Sequence, residues 1–121
     1  MTDIASAIWL EKGIARENAD SFDKNHLILS KGHSVPALYA LGYLSGVLSW
    51  EDVRGFRKSG SRLQGHPDSV AIEWLESSTG SLGQGLSVAA GLGIAKNRTS
   101  SEGRVYTILG DGELQEGQIW E

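Results

Sequence analysis

The sequence predicts an α/β fold in which helices surround an incomplete parallel sheet, and three observations predict it. Most apolar residues recur with helical spacing. One apolar run, Arg104 to Leu109, feeds directly into Gly110-Asp111-Gly112, the pattern of a buried strand ending in a tight loop and a helix start. The 16 glycines cluster at 60–65, 80–93 and 110–117 rather than forming a repeat, as expected where backbone lies close to a ligand or to another backbone. The order is helices, glycine-rich loop, helix, strand and helix start. That is one piece of a layered α/β domain with much of its sheet outside these 121 residues.

Composition narrows the class. The length allows one domain at most. Eleven basic and 15 acidic residues give a net charge of −4, scattered without a basic run, so nucleic acid is not an expected partner. With no cysteine, disulfides and thiolate metal sites are excluded. Met1-Thr2-Asp3 lacks the basic residues of a signal peptide. The uncharged stretches 34–50 and 77–95 are broken by Gly and Ser, so no membrane span is expected. The expectation is a soluble, cytoplasmic protein.

Residues 3–16 read as a helix with Ile4, Ala5, Ile8 and Trp9 on one face, and Asn18 to Asn25 as a polar loop containing little structure. His26 is placed in that polar linker and given a bland role. His26 to Leu29 is a brief strand or extended segment that delivers the chain to Ser30-Lys31-Gly32-His33. Ser34 is expected to cap a largely buried helix from Val35 to about Gly46, with Pro36 in its first turn. Ser49 caps another, Trp50 to Lys58, with Asp52 completing a capping box. Residues 59–80 lose all periodicity, and a loop that long inside a compact domain is often functional. A helix from Leu82 to Lys96 follows, its Leu86, Ala89, Ala90 and Gly93 offering a small-residue face for close packing.

The candidate chemistry sits in the loops. Gly110-Asp111-Gly112 is compatible with an ordinary turn in which Asp acts as a cap. It is equally compatible with a diphosphate site, in which Asp111 would repel the ligand unless a cation such as Mg²⁺ lay between them. Glu113 and Glu116 fall in the expected first helical turn, where acidic residues also suit the helix dipole. The spacing fits neither G-x-G-x-x-G nor a P-loop. His33 and His66 both lie in glycine loops and are candidates for proton handling or phosphate hydrogen bonding. Zinc spacing is missing. Ser78 to Gly85 is either a loop before a helix or backbone laid against a flat ligand.

Four segments taken together resemble the N-terminal, diphosphate-binding part of transketolases. They are Leu29-Ser30-Lys31-Gly32-His33, Gly60-Ser61-Arg62-Leu63-Gln64-Gly65-His66-Pro67, Ser78-Thr79-Gly80-Ser81-Leu82-Gly83-Gln84-Gly85 and Gly110-Asp111-Gly112-Glu113-Leu114-Gln115-Glu116-Gly117. The Leu63-Gln64 variant and the Gln118-Ile119-Trp120-Glu121 ending look most like short, split transketolases. The resemblance implies a partial thiamine-diphosphate-binding fold, thiamine diphosphate with Mg²⁺ (or Ca²⁺), and transfer of a two-carbon ketol unit between sugar phosphates. It makes Asp111 a metal ligand and sets Gly112 and Glu113 at the diphosphate. Gly80, Ser81 and Leu82 fall against the cofactor rings. His33 and His66 become active-site histidines at cofactor and substrate, and Glu116 an interface residue.

The same resemblance implies pieces not found in these residues. They are an upstream S/T-G-H-x-G segment with another active-site histidine, a downstream asparagine as second metal ligand, and the pyrimidine-binding half. The chain is therefore expected to be a fragment, truncated frame or incomplete gene model. It should be inactive alone and should work as a dimer or heterotetramer with that half. The alternatives are a non-catalytic relative retaining only an assembly surface, or another thiamine-diphosphate enzyme such as deoxyxylulose-phosphate synthase or a 2-oxo acid dehydrogenase component. The Ser30–His33 and Gly60–Pro67 loops argue against the latter.

Overall fold

A computed structural model describes residues 2–11 and 22–121. Two strands, β1 (His26–Leu29) and β2 (Val105–Ile108), pair in parallel with His26 opposite Val105 and Leu29 opposite Ile108. Strand β1 is buried throughout. Its Leu27 and Leu29 belong to the main core, while Ile28, one residue out of phase, is buried outside that cluster. Helix α4 (Gln84–Thr99) packs on both strands, so the pair is covered on two faces as a parallel sheet requires.

The main core lies between the sheet and two helices, α1 (Thr2–Glu11) and α2 (Pro36–Leu44). Ala5 and Trp9 of α1 meet Leu38, Tyr39 and Leu41 of α2. Trp9 also packs edge-on against Trp74, with ring centroids 5.5 Å apart, and donates from Nε1 to Ser45 Oγ at 2.7 Å. The irregular segment 59–80 is not a surface ornament. It drives Leu63, Ile72 and Leu75 into this core, Leu63 with no exposed surface. Each such side chain contributes about 1.5–3 kcal/mol when buried.

Helix α3 (Trp50–Arg54) starts as its sequence dictates. Ser49 Oγ accepts from the Asp52 N–H at 3.1 Å, and the Asp52 carboxylate accepts from the Ser49 N–H at 2.9 Å. The Arg62 guanidinium, 3.0 Å away, and Ser49 hold the Asp52 carboxyl well below the usual carboxylate range.

Several expected boundaries move, each for a local reason. Ser34 does not cap α2: residues Gly32–Ser34 already form a 3₁₀ turn, and Val35, itself helical in backbone, occupies the cap with Pro36 at the first position. Helix α2 is also less buried than expected, with Tyr43 and Leu44 exposed at its end and Val47 just beyond it. Helix α3 stops at Arg54, because Gly55 turns the chain and Arg57 is left-handed, with φ of 59°. Helix α4 begins at Gln84, not Leu82, since Gly83 has φ of 90°, and it ends where Ser100 turns left-handed at 56°. Its small-residue face lines an open groove beside the outer edge of β2. Within the helix Gly85, Ala89 and Lys96 are buried, Ala89 belonging to that same face.

The anticipated helix after Gly112 is broken in two. A 3₁₀ turn (Glu113–Gln115) gives way at Glu116, which is extended with ψ of 136°, before the single turn of α5 (Gly117–Trp120). Ile4, expected on the buried face of α1, is 61% exposed. His26 is not in a polar linker. It opens β1, is buried, and places Nδ1 2.8 Å from Glu76 Oε2, while Lys24 reaches the other oxygen of Glu76 at 2.8 Å. The far end of the first expected helix, residues 12–16, and the first half of the following loop, residues 18–21, lie outside the described residues.

Candidate cofactor site at the carboxyl end of the parallel pair

Two parallel neighbours present their carboxyl ends on the same side, where ligands bind in open α/β sheets. Here β1 runs out into Ser30-Lys31-Gly32-His33 and β2 into Gly110-Asp111-Gly112. The strand register continues beyond the sheet, with the Ser30 N–H donating to the Ile108 carbonyl at 3.0 Å. The two loops therefore start side by side. The Lys31 side chain lies along Gly110, where an added Cβ would sit 3.3 Å from Lys31 Cδ.

The third motif is bolted to the first. Thr79 Oγ1, buried, donates to the Leu29 carbonyl at 2.6 Å. A Cβ on Gly32 would sit 2.6 Å from the Thr79 carbonyl oxygen, and a Cβ on Gly85 would sit 2.5 Å from Ser30 Cα. Neither position has room for a side chain. Glycine is required here by backbone meeting backbone, not by turn conformation.

One carboxylate ties three motifs together. Glu113 is 3% exposed. Its Oε1 accepts from Ser30 Oγ at 2.6 Å and from the Gly83 N–H at 2.9 Å, and its Oε2 accepts from the Gly110 N–H at 2.9 Å. Burial pushes the Glu113 carboxyl upward, but these three donors, helped by the nearby His33, outweigh it and leave it lowered. The side chain points into the protein, away from the surface of the loop.

The fourth motif arrives through the irregular segment. His66 lies beside Gly80, where a built Cβ would be 3.4 Å from the imidazole Cδ2. From the core side, the Tyr39 hydroxyl donates to the carbonyls of Gln64 at 3.1 Å and His66 at 3.4 Å. The His66 ring is exposed, as are His33, Gly80, Ser81, Asp111 and Gly112, while Leu82 is half-buried. Among the candidate residues only Glu113 is buried.

Asp111 differs from Glu113 in kind. Among the described residues its carboxylate has no hydrogen-bond or ion-pair partner, and a Cβ built on the adjacent Gly112 would meet nothing within 4 Å. A free carboxylate beside open space on a glycine loop fits a Mg²⁺ that brings phosphate oxygens and water as its other ligands. No cluster of three or more His, Cys, Asp or Glu able to hold a metal occurs among the described residues. Two participants escaped the sequence reading. Lys31, named only as motif spacing, has its stem on Gly110, and Ser30 supplies the shortest of the three Glu113 contacts.

The family described as transketolase, thiamine diphosphate binding domain, matches residues 1–121. A 6-deoxy-6-sulfo-D-fructose transketolase subunit from Clostridium sp. is 42% identical over 82% of this chain and 36% of its own length. Transketolase 1 of Saccharomyces cerevisiae is 38% identical over 97% of this chain and 19% of its own. Among solved structures, transketolase from Campylobacter jejuni superposes with a TM-score of 0.88 at 32% identity, covering 98% of this chain and 20% of that one. The chain thus spans about a third of the first relative and about a fifth of the second.

Proposed function

Since the chain belongs to the transketolase thiamine diphosphate binding domain family, we propose that it forms the diphosphate-binding part of a transketolase. That enzyme transfers a two-carbon ketol unit from a ketose phosphate to an aldose phosphate in the cytoplasm. The observation that carries the reading is the Glu113 carboxylate, which draws Ser30, Gly83 and Gly110 to a single point at the carboxyl end of the parallel pair.

Each of the other candidate residues then has a task. Asp111 holds Mg²⁺, or Ca²⁺ in its place, and Gly112 leaves the backbone close enough for a diphosphate to share that cation. Lys31, alongside Gly110, adds positive charge to the same loop. Gly80, Ser81 and Leu82 form the wall against the cofactor rings. His33 and His66 orient substrate hydroxyls and move protons, work suited to imidazole near neutral pH. Thiamine diphosphate, when bound, supplies the electron sink that ketol transfer needs. Glu113 orders the loops rather than touching the reactants.

The remaining parts of the site are an upstream histidine-bearing segment, a downstream metal-ligand asparagine and the pyrimidine-binding half, supplied by further sequence or by a separate chain, in a dimer or heterotetramer. No helix among the described residues is long and apolar enough to cross a membrane. The test is a ketol-transfer assay with thiamine diphosphate and Mg²⁺, run on this chain alone and on the chain combined with both its flanking sequence and the pyrimidine-binding half. The donor panel should include a 6-sulfonated ketose, since one relative is named for that substrate. Transfer only in the combined sample supports the reading. Full transfer by the chain alone, or none in either sample, overturns it.

A further inference from the structure

Arg57 stands out because its backbone is in the left-handed region, φ of 59°, which side-chain-bearing residues avoid and where Gly or Asn would rest more easily. Its N–H donates to the Leu63 carbonyl at 2.8 Å, closing the chain between α3 and the His66 loop. The side chain then lies across Gly65. A Cβ built there would be 3.4 Å from Arg57 Nε and 3.6 Å from Cζ. Among the described residues the guanidinium makes no hydrogen bond or ion pair, and it lines an open cavity with His66, Asp68 and Ser78.

The residue preceding His66 is therefore pinned from two sides. Tyr39 holds the carbonyls on either side of Gly65 from within. Arg57 covers Gly65 from without. A planar guanidinium can lie flat on a peptide unit, whereas a lysine ammonium cannot. We propose that Arg57 is a positioning residue for His66, its guanidinium clamping the 64–67 loop against Tyr39 so that the imidazole is held over Gly80. This extends the transketolase reading, and it explains why a strained position carries a long cationic side chain.

The test compares Arg57→Gly and Arg57→Lys with the parent in the cofactor-loaded enzyme. Arg57→Gly relieves the backbone, so its thermal midpoint should be no lower than the parent's. Its kcat/KM for the ketose donor should nevertheless fall about 10- to 100-fold, with cofactor affinity unchanged, as expected of a displaced catalytic group. Amide hydrogen exchange of Gln64, Gly65 and His66 should speed up about tenfold while that of β1 stays the same. Arg57→Lys should rescue neither. Parent-like exchange and kcat/KM in Arg57→Gly, or full rescue by Arg57→Lys, would overturn the proposal. If the parent transferred no ketol units at all, the functional reading would fail, yet the exchange comparison would still decide whether Arg57 clamps the loop.

Discussion

Ser30 Oγ donates to Glu113 Oε1 across 2.6 Å, although the two residues are 83 positions apart in the chain. The bond joins the loop after β1 to the loop after β2, and the same carboxylate oxygen reaches Gly83 at the entry to α4. Glu113→Gln keeps the shape but replaces one acceptor oxygen with an N–H₂ that faces a donor. The expected cost is about 2–3 kcal/mol, since a buried donor is left unsatisfied beside lost charge-assisted bonds. Ser30→Ala removes one of the three bonds and should cost less, about 1.5–2 kcal/mol. Urea unfolding midpoints of the two variants check the order. Equal stability of parent and Glu113→Gln would refute the tie.

The same carboxylate makes stability depend on acid. Its folded-state titration is lowered relative to an ordinary glutamate, so the unfolded chain takes up the proton first as pH falls. The stabilisation is fully present above the ordinary value of about 4.3 and is lost as pH drops through the lower folded-state value. The stability gap between parent and Glu113→Gln should therefore be constant near neutrality and shrink below about pH 4. Thermal melts between neutral pH and pH 3 would measure it. A gap that widens on acidification would show that the carboxyl is raised instead.

Two glycines of α4 should respond to alanine in opposite directions. At Gly85 the new Cβ would collide with Ser30 Cα, 2.5 Å away, forcing the helix off the end of β1. Overpacking of this kind costs about 1–3 kcal/mol, and here it should also weaken cofactor binding. At Gly91 nothing lies within 4 Å, so Gly91→Ala should stabilise by about 0.5–1 kcal/mol through helix propensity. The paired melts form an internal control, because both changes add the same methyl group to the same helix.

His26 and Glu76 offer a prediction away from the site. Glu76 receives His26 Nδ1 and Lys24 Nζ, each at 2.8 Å, at the start of β1. Glu76→Ala removes the carboxylate that the buried His26 imidazole and Lys24 share, at a cost of about 1–3 kcal/mol. The loss should appear in the denaturation midpoint and not in cofactor affinity. A selective loss of affinity would argue that β1 transmits to the loops beyond it.

Much of this architecture is legible in the residues, and what is not has identifiable causes. The Ser49–Asp52 capping box is local, so reading it needs only four residues. The parallel pair is announced by two apolar runs, each ending in a motif loop. The break at Glu116 and the delayed start of α4 at Gln84 are decided by backbone angles that neighbouring chain imposes, which no periodicity reveals. Glu113 is the instructive case. An acidic residue after Gly-Asp-Gly looks like a dipole partner or a ligand contact, and only tertiary structure turns it inward onto donors from three loops. The long segment 59–80 hides its core role similarly, because Leu63, Ile72 and Leu75 follow no regular spacing.

The central claim is that Asp111 bridges this chain to thiamine diphosphate through a divalent cation. Isothermal titration of thiamine diphosphate into the complete enzyme that contains this chain, with and without Mg²⁺, tests it most directly. Binding should require Mg²⁺ in the parent and vanish in Asp111→Asn, while the unfolding free energy of the variant stays within about 0.5 kcal/mol of the parent's, because Asp111 has no partner to lose among the described residues. Binding of equal strength without Mg²⁺, or in Asp111→Asn, would contradict the account.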